Sequence, residues 1–214
     1  MEAAIFDLDG VLVNSMPTHF QAWKAAFVKI TGLEIAERDI YLLEGMRGME
    51  LVEKIFDQKG FSEQSLARKV HDEKSRIFKS IRSSEPFDGV REMINDIRCP
   101  KAVVSGSTRN DVETILEEAF GRDKFDVVIT ADDIQKGKPN PSAFIDALER
   151  MKVKPKDAVV VENAPLGAKA ANSAGIGCYV ALNNTPLMKS DFIDIVTLER
   201  IFEKTRMLRK VLCK

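Results

Sequence analysis

The chain has 214 residues, 44% hydrophobic and 30% charged, with 32 basic residues against 33 acidic ones. That supports one substantial core, or a core with a smaller partner unit, and the even balance excludes the broad charge field that nucleic acid or an anionic membrane would require. Cys99, Cys178 and Cys213 are odd in number, widely spaced and without a Cys-x-x-Cys, which excludes a disulfide framework and a structural zinc site.

The chain begins with an apolar run, Ala3 to Phe6, that ends in Asp7-Leu8-Asp9-Gly10. In an extended strand residues i and i+2 share a direction, so Asp7 and Asp9 start out pointing the same way, and Gly10 lets the backbone turn aside. Alone, Asp-x-Asp-Gly is more often a plain turn. Further apolar runs of strand length follow at Ala102 to Ser105, Val127 to Thr130, Ala158 to Val161 and Cys178 to Ala181. Between them lie helical patterns at Asp88 to Arg98, Asn110 to Phe120, Pro141 to Met151 and Pro165 to Ala174. Apolar strands alternating with helices predict an α/β fold, a doubly wound parallel (Rossmann-like) sheet. A short extra strand at Ile193 to Val196 and a closing helix from Leu198 to about Leu212 are expected, with Arg206, Arg209, Lys210 and Lys214 as a solvated basic face favoured by the helix dipole.

One connection is too long. The first strand ends at Asp7 and the second begins near Lys101, so the crossover must contain a folded unit of its own. Phe20, Trp23, Phe27 and Ile30 repeat at helical spacing over Pro17 to Ile30, as do Leu51, Val52, Ile55 and Phe56, and then Leu66, Val70, Ile77, Phe78 and Ile81 within Ser62 to Ile81. We read a small helical bundle over residues 15–84, inserted into a core made of residues 1–14 and 85–214, and seated over the carboxyl edge of the sheet where both its ends emerge.

Each later strand end carries a residue suited to phosphate chemistry. Ser105-Gly106-Ser107-Thr108-Arg109 opens a helix whose free N–H groups can hold an anion, with Ser107 and Arg109 as candidate substrate contacts. Lys138, stiffened by Pro139 and Pro141, can neutralise phosphate as a point charge. Glu162-Asn163 offers the hard oxygen ligands that Mg²⁺ prefers. Read singly, these are a helix cap, a surface lysine and an acid near a helix N-terminus. Read together on one sheet edge, they form a site for magnesium-assisted phosphoryl transfer.

With Asp7-Leu8-Asp9-Gly10, Ser105, Lys138-Pro139 and Glu162-Asn163 in this order, the chain resembles the haloacid dehalogenase superfamily of hydrolases with a helical cap after the first strand. The resemblance implies Asp7 as nucleophile, forming an aspartyl-phosphate, and Asp9 as the acid and then the base. It implies Mg²⁺ held by Asp7, the Asp9 carbonyl and Glu162, with Asn163 coordinating directly or orienting a water. Ser105, Gly106 and Lys138 would hold the transferring oxygens. The family often has two acids where this chain has Glu162-Asn163, so one ligand carboxylate is replaced by an amide.

The segment Met16-Pro17-Thr18-His19-Phe20-Gln21-Ala22-Trp23 is similar to that of the β-phosphoglucomutases, which implies a substrate-side role for His19. Lys74 interrupts an apolar helical stripe, and either snorkels from the bundle or reaches the cleft. Arg47 falls one residue away from the place where mutases put a phosphate-binding arginine. The expectation is therefore an Mg²⁺-dependent phosphatase of a small phosphorylated metabolite, a sugar phosphate. A mutase is the close alternative, and a degenerate hydrolase serving as a binding protein the non-enzyme one. A receiver domain is set aside, since its phosphorylated aspartate follows the third strand. No charged leader with an apolar core and no run approaching the roughly 20 residues of a membrane span is present. A cytoplasmic monomer without nucleic-acid or membrane partners is expected, and the Asn183-Asn184-Thr185 glycosylation pattern is dismissed.

Overall fold

The computed structural model describes residues 1–183 and 185–213, so Asn184 and Lys214 lie outside the described residues. Strand β1 (Ala3–Phe6) is buried at every position. The chain then enters four helices, α1 (Met16–Thr31), α2 (Glu37–Leu42), α3 (Gly48–Lys59) and α4 (Ala67–Ile81), before α5 (Val90–Asp96) returns it to β2 (Lys101–Val104). Helix α6 (Arg109–Phe120), β3 (Val127–Ile129), α7 (Ser142–Met151), β4 (Ala158–Glu162), α8 (Pro165–Ser173) and β5 (Gly177–Ala181) follow in alternation, and β6 (Ile201–Phe202) and α9 (Arg209–Leu212) end the chain.

All six strands are parallel, in the order β3-β2-β1-β4-β5-β6. The order reverses beside β1: the chain winds outward through β2 to β3, then restarts at β4 on the other side. Such a switch point opens a crevice at the carboxyl ends of the strands. Both sheet faces are covered, which is why the strands read as continuous apolar runs. Ala3, Ile5, Val104 and Val160 pack with Phe144 of α7 and Ala168 of α8. Ala4, Phe6, Val103 and Val161 pack with Met93 of α5 and Ile115 of α6 on the opposite face.

The inserted helices leave and return side by side. Asn14 N donates to Glu85 O at 2.9 Å, and Val13 bridges antiparallel to Pro86. Within the insert α1 packs along α4, Trp23 is buried and Phe27 fully so, with Phe56 meeting Phe27 edge-on at 6.0 Å. The buried face of α1 is rotated from the expected one: it runs through Met16, His19, Ala22, Trp23, Ala26 and Phe27, while Phe20 and Ile30 are only partly covered. Helix α2 was not expected. It has six residues and an alanine in the N-cap position, so no N-cap side chain announces it, and only Asp39 reaches back to accept from Ala36 N at 3.2 Å.

The carboxyl-terminal expectations need correction. No strand forms at Ile193 to Val196. A 3₁₀ turn (Lys189–Phe192) continues into a turn in which Val196 N donates to Phe192 O, and those two residues face the core while Ile193 is exposed. An i, i+4 apolar pair is a helical spacing, whereas a strand needs a period of two. The single helix expected from Leu198 to Leu212 is instead a 3₁₀ turn (Leu198–Arg200), strand β6, a second 3₁₀ turn (Thr205–Leu208) and α9. Pairing with β5, with Leu182 N donating to Phe202 O at 2.9 Å, interrupts the helix. A four-residue α9 has no macrodipole to favour a basic face, and Arg209 is held by Asp96.

Candidate active site

Sheet register assembles the site. Phe6 pairs with both Val103 and Val161, so Asp7 leaves the sheet level with the ends of β2 and β4, and its N–H donates to Val161 O at 3.0 Å. Ser105 and Glu162 emerge on the same edge. From the loop before α7, Lys138 extends its ammonium between two acids, meeting Asp7 Oδ1 and Glu162 Oε1 and donating to Val104 O at 3.2 Å. All three side chains are buried, with Asp7 4% and Lys138 3% exposed. Burial alone would lower the lysine's proton affinity, yet the Asp7 and Glu162 carboxylates outweigh it and hold Lys138 charged far into the alkaline range. Asp7 is pushed up, first by burial and then by Glu162 and Asp9, against the downward pull of Lys138.

Asp9 has different neighbours. The Ser15 hydroxyl donates to Oδ1, His19 Nε2 stands 3.1 Å from the same oxygen, and Ser107 Oγ and Ser105 Oγ lie 3.2 and 3.4 Å from Oδ2. Lys74 Nζ is 3.1 Å from His19 Nδ1. An ammonium only donates, so Nδ1 accepts and the ring proton sits on Nε2, facing Asp9. Burial pushes Asp9 up, but His19, the Ser15 hydroxyl and the charge of Lys74 prevail and hold it well below the usual carboxylate range. His19 itself is pushed down by burial and by Lys74, which keeps the ring neutral.

One cavity joins these groups. Its walls include Asp7, Asp9, Ser105, Gly106 and Ser107 from the sheet edge, and His19, Trp23 and Lys74 from the insert. Lys74 thus faces the cleft, its ammonium 4.4 Å from the Phe78 ring centroid and 5.1 Å from that of Trp23. Two expected substrate contacts are not brought in. Arg47 is half-buried and donates to Gln135 O at 2.9 Å. Arg109 is tied to Glu113 at 3.0 Å and to Asp133 at 2.6 Å. An arginine finds the nearest carboxylate or carbonyl, and both side chains meet one outside the cavity. The sequence reading also missed Ser15, Glu44, His71 and Asp111, which share this site. Ser15 had a weak signal as a hydroxyl before the Pro17 helix start, while the others depend on tertiary placement alone.

The donors fit a hard divalent cation in kind and charge. Asp7, Glu162, Glu44 and Asn163 are all oxygen donors, each at most 9% exposed, and Glu44 Oε1 and Asn163 Oδ1 are buried without a hydrogen-bond partner. Among the described residues no three His, Cys, Asp or Glu side chains already converge as a cage, and the Lys138 ammonium stands between Asp7 and Glu162. Gly10 is required beside this cluster: a Cβ there would lie 2.2 Å from Asn163 Nδ2, and its φ of +79° is unfavourable for any side chain.

Comparison with known proteins agrees with this geometry. The profile of the haloacid dehalogenase-like hydrolases matches residues 1–175. A phosphorylated carbohydrates phosphatase of Thermotoga maritima is 31% identical over 99% of this chain and 100% of its own length. A β-phosphoglucomutase of Bacillus subtilis is 26% identical over 98% of this chain and 97% of its own. The crystal structure of a hydrolase from Pseudomonas syringae, 20% identical, shares the fold with a TM-score of 0.87 over 98% of this chain and 97% of that one. With the matching profile spanning β1 through α8 and the four motifs meeting on one sheet edge, the chain belongs to the haloacid dehalogenase-like hydrolases.

Proposed function

We propose that this enzyme is a magnesium-dependent phosphatase acting on a sugar phosphate through an aspartyl-phosphate on Asp7. The observation that carries the reading is the contrast between two carboxylates of one turn. Asp7 lies against an ammonium, whereas Asp9 lies among hydroxyls and a neutral imidazole. Lys138 opposes the upward push of burial on Asp7 and favours its ionised, nucleophilic form, while His19 and the serine hydroxyls orient Asp9 for proton transfer.

In the first half-reaction an Asp7 oxygen attacks phosphorus, the bond to the leaving oxygen breaks, and Asp9 gives that oxygen its proton. An incoming phosphate dianion opposes the pull of Lys74 on Asp9 and raises its proton affinity, so Asp9 takes up the proton it needs. In the second half a water attacks the phosphoryl group, Asp9 accepts the water's proton, and the bond to Asp7 breaks. Ser105, the Gly106 amide and Lys138 hold the equatorial oxygens as charge spreads over them. Asp7, the Asp9 carbonyl, Glu162 and Asn163 would hold Mg²⁺, which supplies charge neutralisation between carboxylate and phosphate. Residues 15–84 act as a cap hinged at Asn14 and Glu85, whose closure keeps water from the proton transfers.

The phosphatase named for phosphorylated carbohydrates supports a sugar phosphate as substrate. The mutase is the second reading, favoured by the His19 contact to Asp9, which suits taking a proton from a sugar hydroxyl. Against it, Arg47 is turned to Gln135, away from any second phosphate in the cavity. The deciding assay follows phosphate release from a panel of sugar phosphates with Mg²⁺. It includes β-glucose 1-phosphate with a trace of glucose 1,6-bisphosphate. Free phosphate without glucose 6-phosphate establishes the phosphatase, and the reverse establishes the mutase. Asp7→Asn should form no acid-stable phosphoenzyme, and full activity in that variant refutes the nucleophile.

A further inference from the structure

The amide at position 163, which breaks the family's acid pair, has a partner that explains it. Glu44 lies in the turn after α2, on the inserted helices, yet its Oε2 accepts a hydrogen bond from Asn163 Nδ2 on the core at 2.8 Å. An aspartate at 163 would set two carboxylates against each other, whereas the amide donates to Glu44 and keeps a neutral oxygen of its own. Glu44 Oε1 and Asn163 Oδ1 are both buried and unpartnered, and Glu44 lines the same cavity as Asp7 and Asp9. Buried polar oxygens are nearly always satisfied, so two orphans on one hydrogen-bonded pair of side chains among acids point to a cation. The local charge agrees. Asp7, Asp9, Glu44, Glu162 and Asp111 are five buried carboxylates, of which Asp111 is paired with Arg82 at 3.6 Å, and among the described residues the ammonium groups at the site are those of Lys74 and Lys138.

The backbone that carries Glu44 is seated for this contact. Gly45 O accepts from Lys138 N at 3.0 Å, and Glu50 accepts from Gly137 N at 3.2 Å. Gly45, at φ +92°, packs so closely on the core that a Cβ there would lie 2.5 Å from Lys138 Cδ. Resting on the magnesium-dependent reading above, we infer that Glu44 delivers from the inserted helices the carboxylate that Asn163 lacks, so that binding a divalent cation and seating the insert on the sheet edge are one coupled step. Coupling of this kind is reciprocal: what a cation gains from the seated insert, the seated state gains from the cation.

The test uses Mn²⁺ alone, without substrate, on the whole chain. Free Mn²⁺ is counted by electron paramagnetic resonance. Trp23, the single tryptophan and a wall of the cavity, reports seating through its fluorescence. Glu44→Gln should weaken Mn²⁺ binding by about tenfold or more and abolish the Mn²⁺-dependent change in Trp23 emission. The double variant Glu44→Gln with Asn163→Asp returns a carboxylate to the core. It should regain affinity near the wild-type value without regaining the emission change. Wild-type affinity in Glu44→Gln overturns the inference, and so does a double variant that stays as weak as the single one. Phosphate release from no sugar phosphate, with these Mn²⁺ results intact, retires the phosphatase reading alone.

Discussion

His19 Nε2 and Asp9 Oδ1 are held 3.1 Å apart, and the imidazole behind that contact is fixed by Phe78, whose ring centroid is 4.0 Å from its own. The ring therefore cannot turn away without giving up buried packing. A neutral imidazole donating from Nε2 stabilises the ionised form of Asp9, so His19 sets how readily that carboxyl takes a proton. His19→Ala should lower kcat/KM by roughly tenfold to a hundredfold, and the inflection belonging to Asp9 in the pH profile should move to higher pH. A lowered rate with an unmoved profile would reduce His19 to a packing role.

Lys74 is a buried cation whose position in the cleft comes at a cost in stability. Burial pushes it down to about 8, against the opposing pull of Asp9 and Asp111. The unfolded chain keeps that proton up to the ordinary 10.5, so between the two values the unfolded state binds more protons and stability rises with pH. Lys74→Met retains the stem packed on Trp23 and Phe78 but removes the charge. It should melt at a higher temperature than the wild type at neutral pH, lose the stability rise above pH 8, and show kcat/KM lower by about tenfold or more. Thermal melts from pH 7 to pH 10 check this, and identical pH dependence in both proteins refutes it.

Lys138 has the opposite balance, because its removal leaves Asp7 and Glu162 buried without a cation. Lys138→Met should cost about 3–5 kcal/mol at neutral pH, the usual penalty for breaking a buried pair from one side. The unpaired acids would then take up protons more readily in the folded variant than in its unfolded chain, so the variant's stability should fall as pH rises. Urea titrations near pH 5 and pH 8 would find the deficit larger at the higher pH. A deficit independent of pH would mean that lost packing against Phe144, whose ring centroid lies 5.3 Å from the ammonium, explains the loss.

The parts of the molecule governed by local pattern were legible. Strand β1 runs from Ala3 to Phe6 as its apolar run indicates, because a strand covered on both faces admits no polar residue. Ser105, Lys138 and Glu162 follow from the same logic, as residues at the ends of strands or in the loops beyond them. What escaped the sequence depends on partners far along the chain. Glu44 is an ordinary turn acid until Asn163 faces it across 119 positions. His71 sits in a highly charged helix and reaches the cavity only because Gly48 leaves room: a Cβ on that glycine would lie 2.5 Å from the imidazole. Arg109 looked free, yet Asp133 and Glu113 were within its reach. The closing segment misled because Phe192 and Val196 are spaced for a turn, while Ile201 and Phe202 find a free edge on β5.

Asn183 connects the far end of the sheet to the turn that carries Asp7 and Asp9. Its Nδ2 donates to Gly10 O at 2.9 Å and to Thr205 Oγ1 at 2.5 Å, and Thr205 N returns a bond to its Oδ1 at 2.9 Å. Thr205 Oγ1 in turn donates to Val11 O at 2.8 Å, so one buried network fastens the carboxyl-terminal segment to the two residues after Asp9. Asn183 also holds a left-handed backbone, φ 50°, which asparagine accepts more readily than alanine. Only 4% of it is exposed, so the glycosylation pattern that begins there is closed in the folded chain on steric grounds. Asn183→Ala should lose about 3 kcal/mol of stability, from unpaired buried groups together with backbone strain. Asn183→Gly relieves the strain and keeps the loss of bonds, so it should fall between the two. In both variants kcat should drop more than KM rises, since a loosened Gly10 turn misplaces Asp9 rather than the phosphate-binding groups. Urea unfolding with steady-state kinetics on the same preparations measures both effects, and a glycine variant as active and stable as the wild type would show that the network does not hold the Gly10 turn.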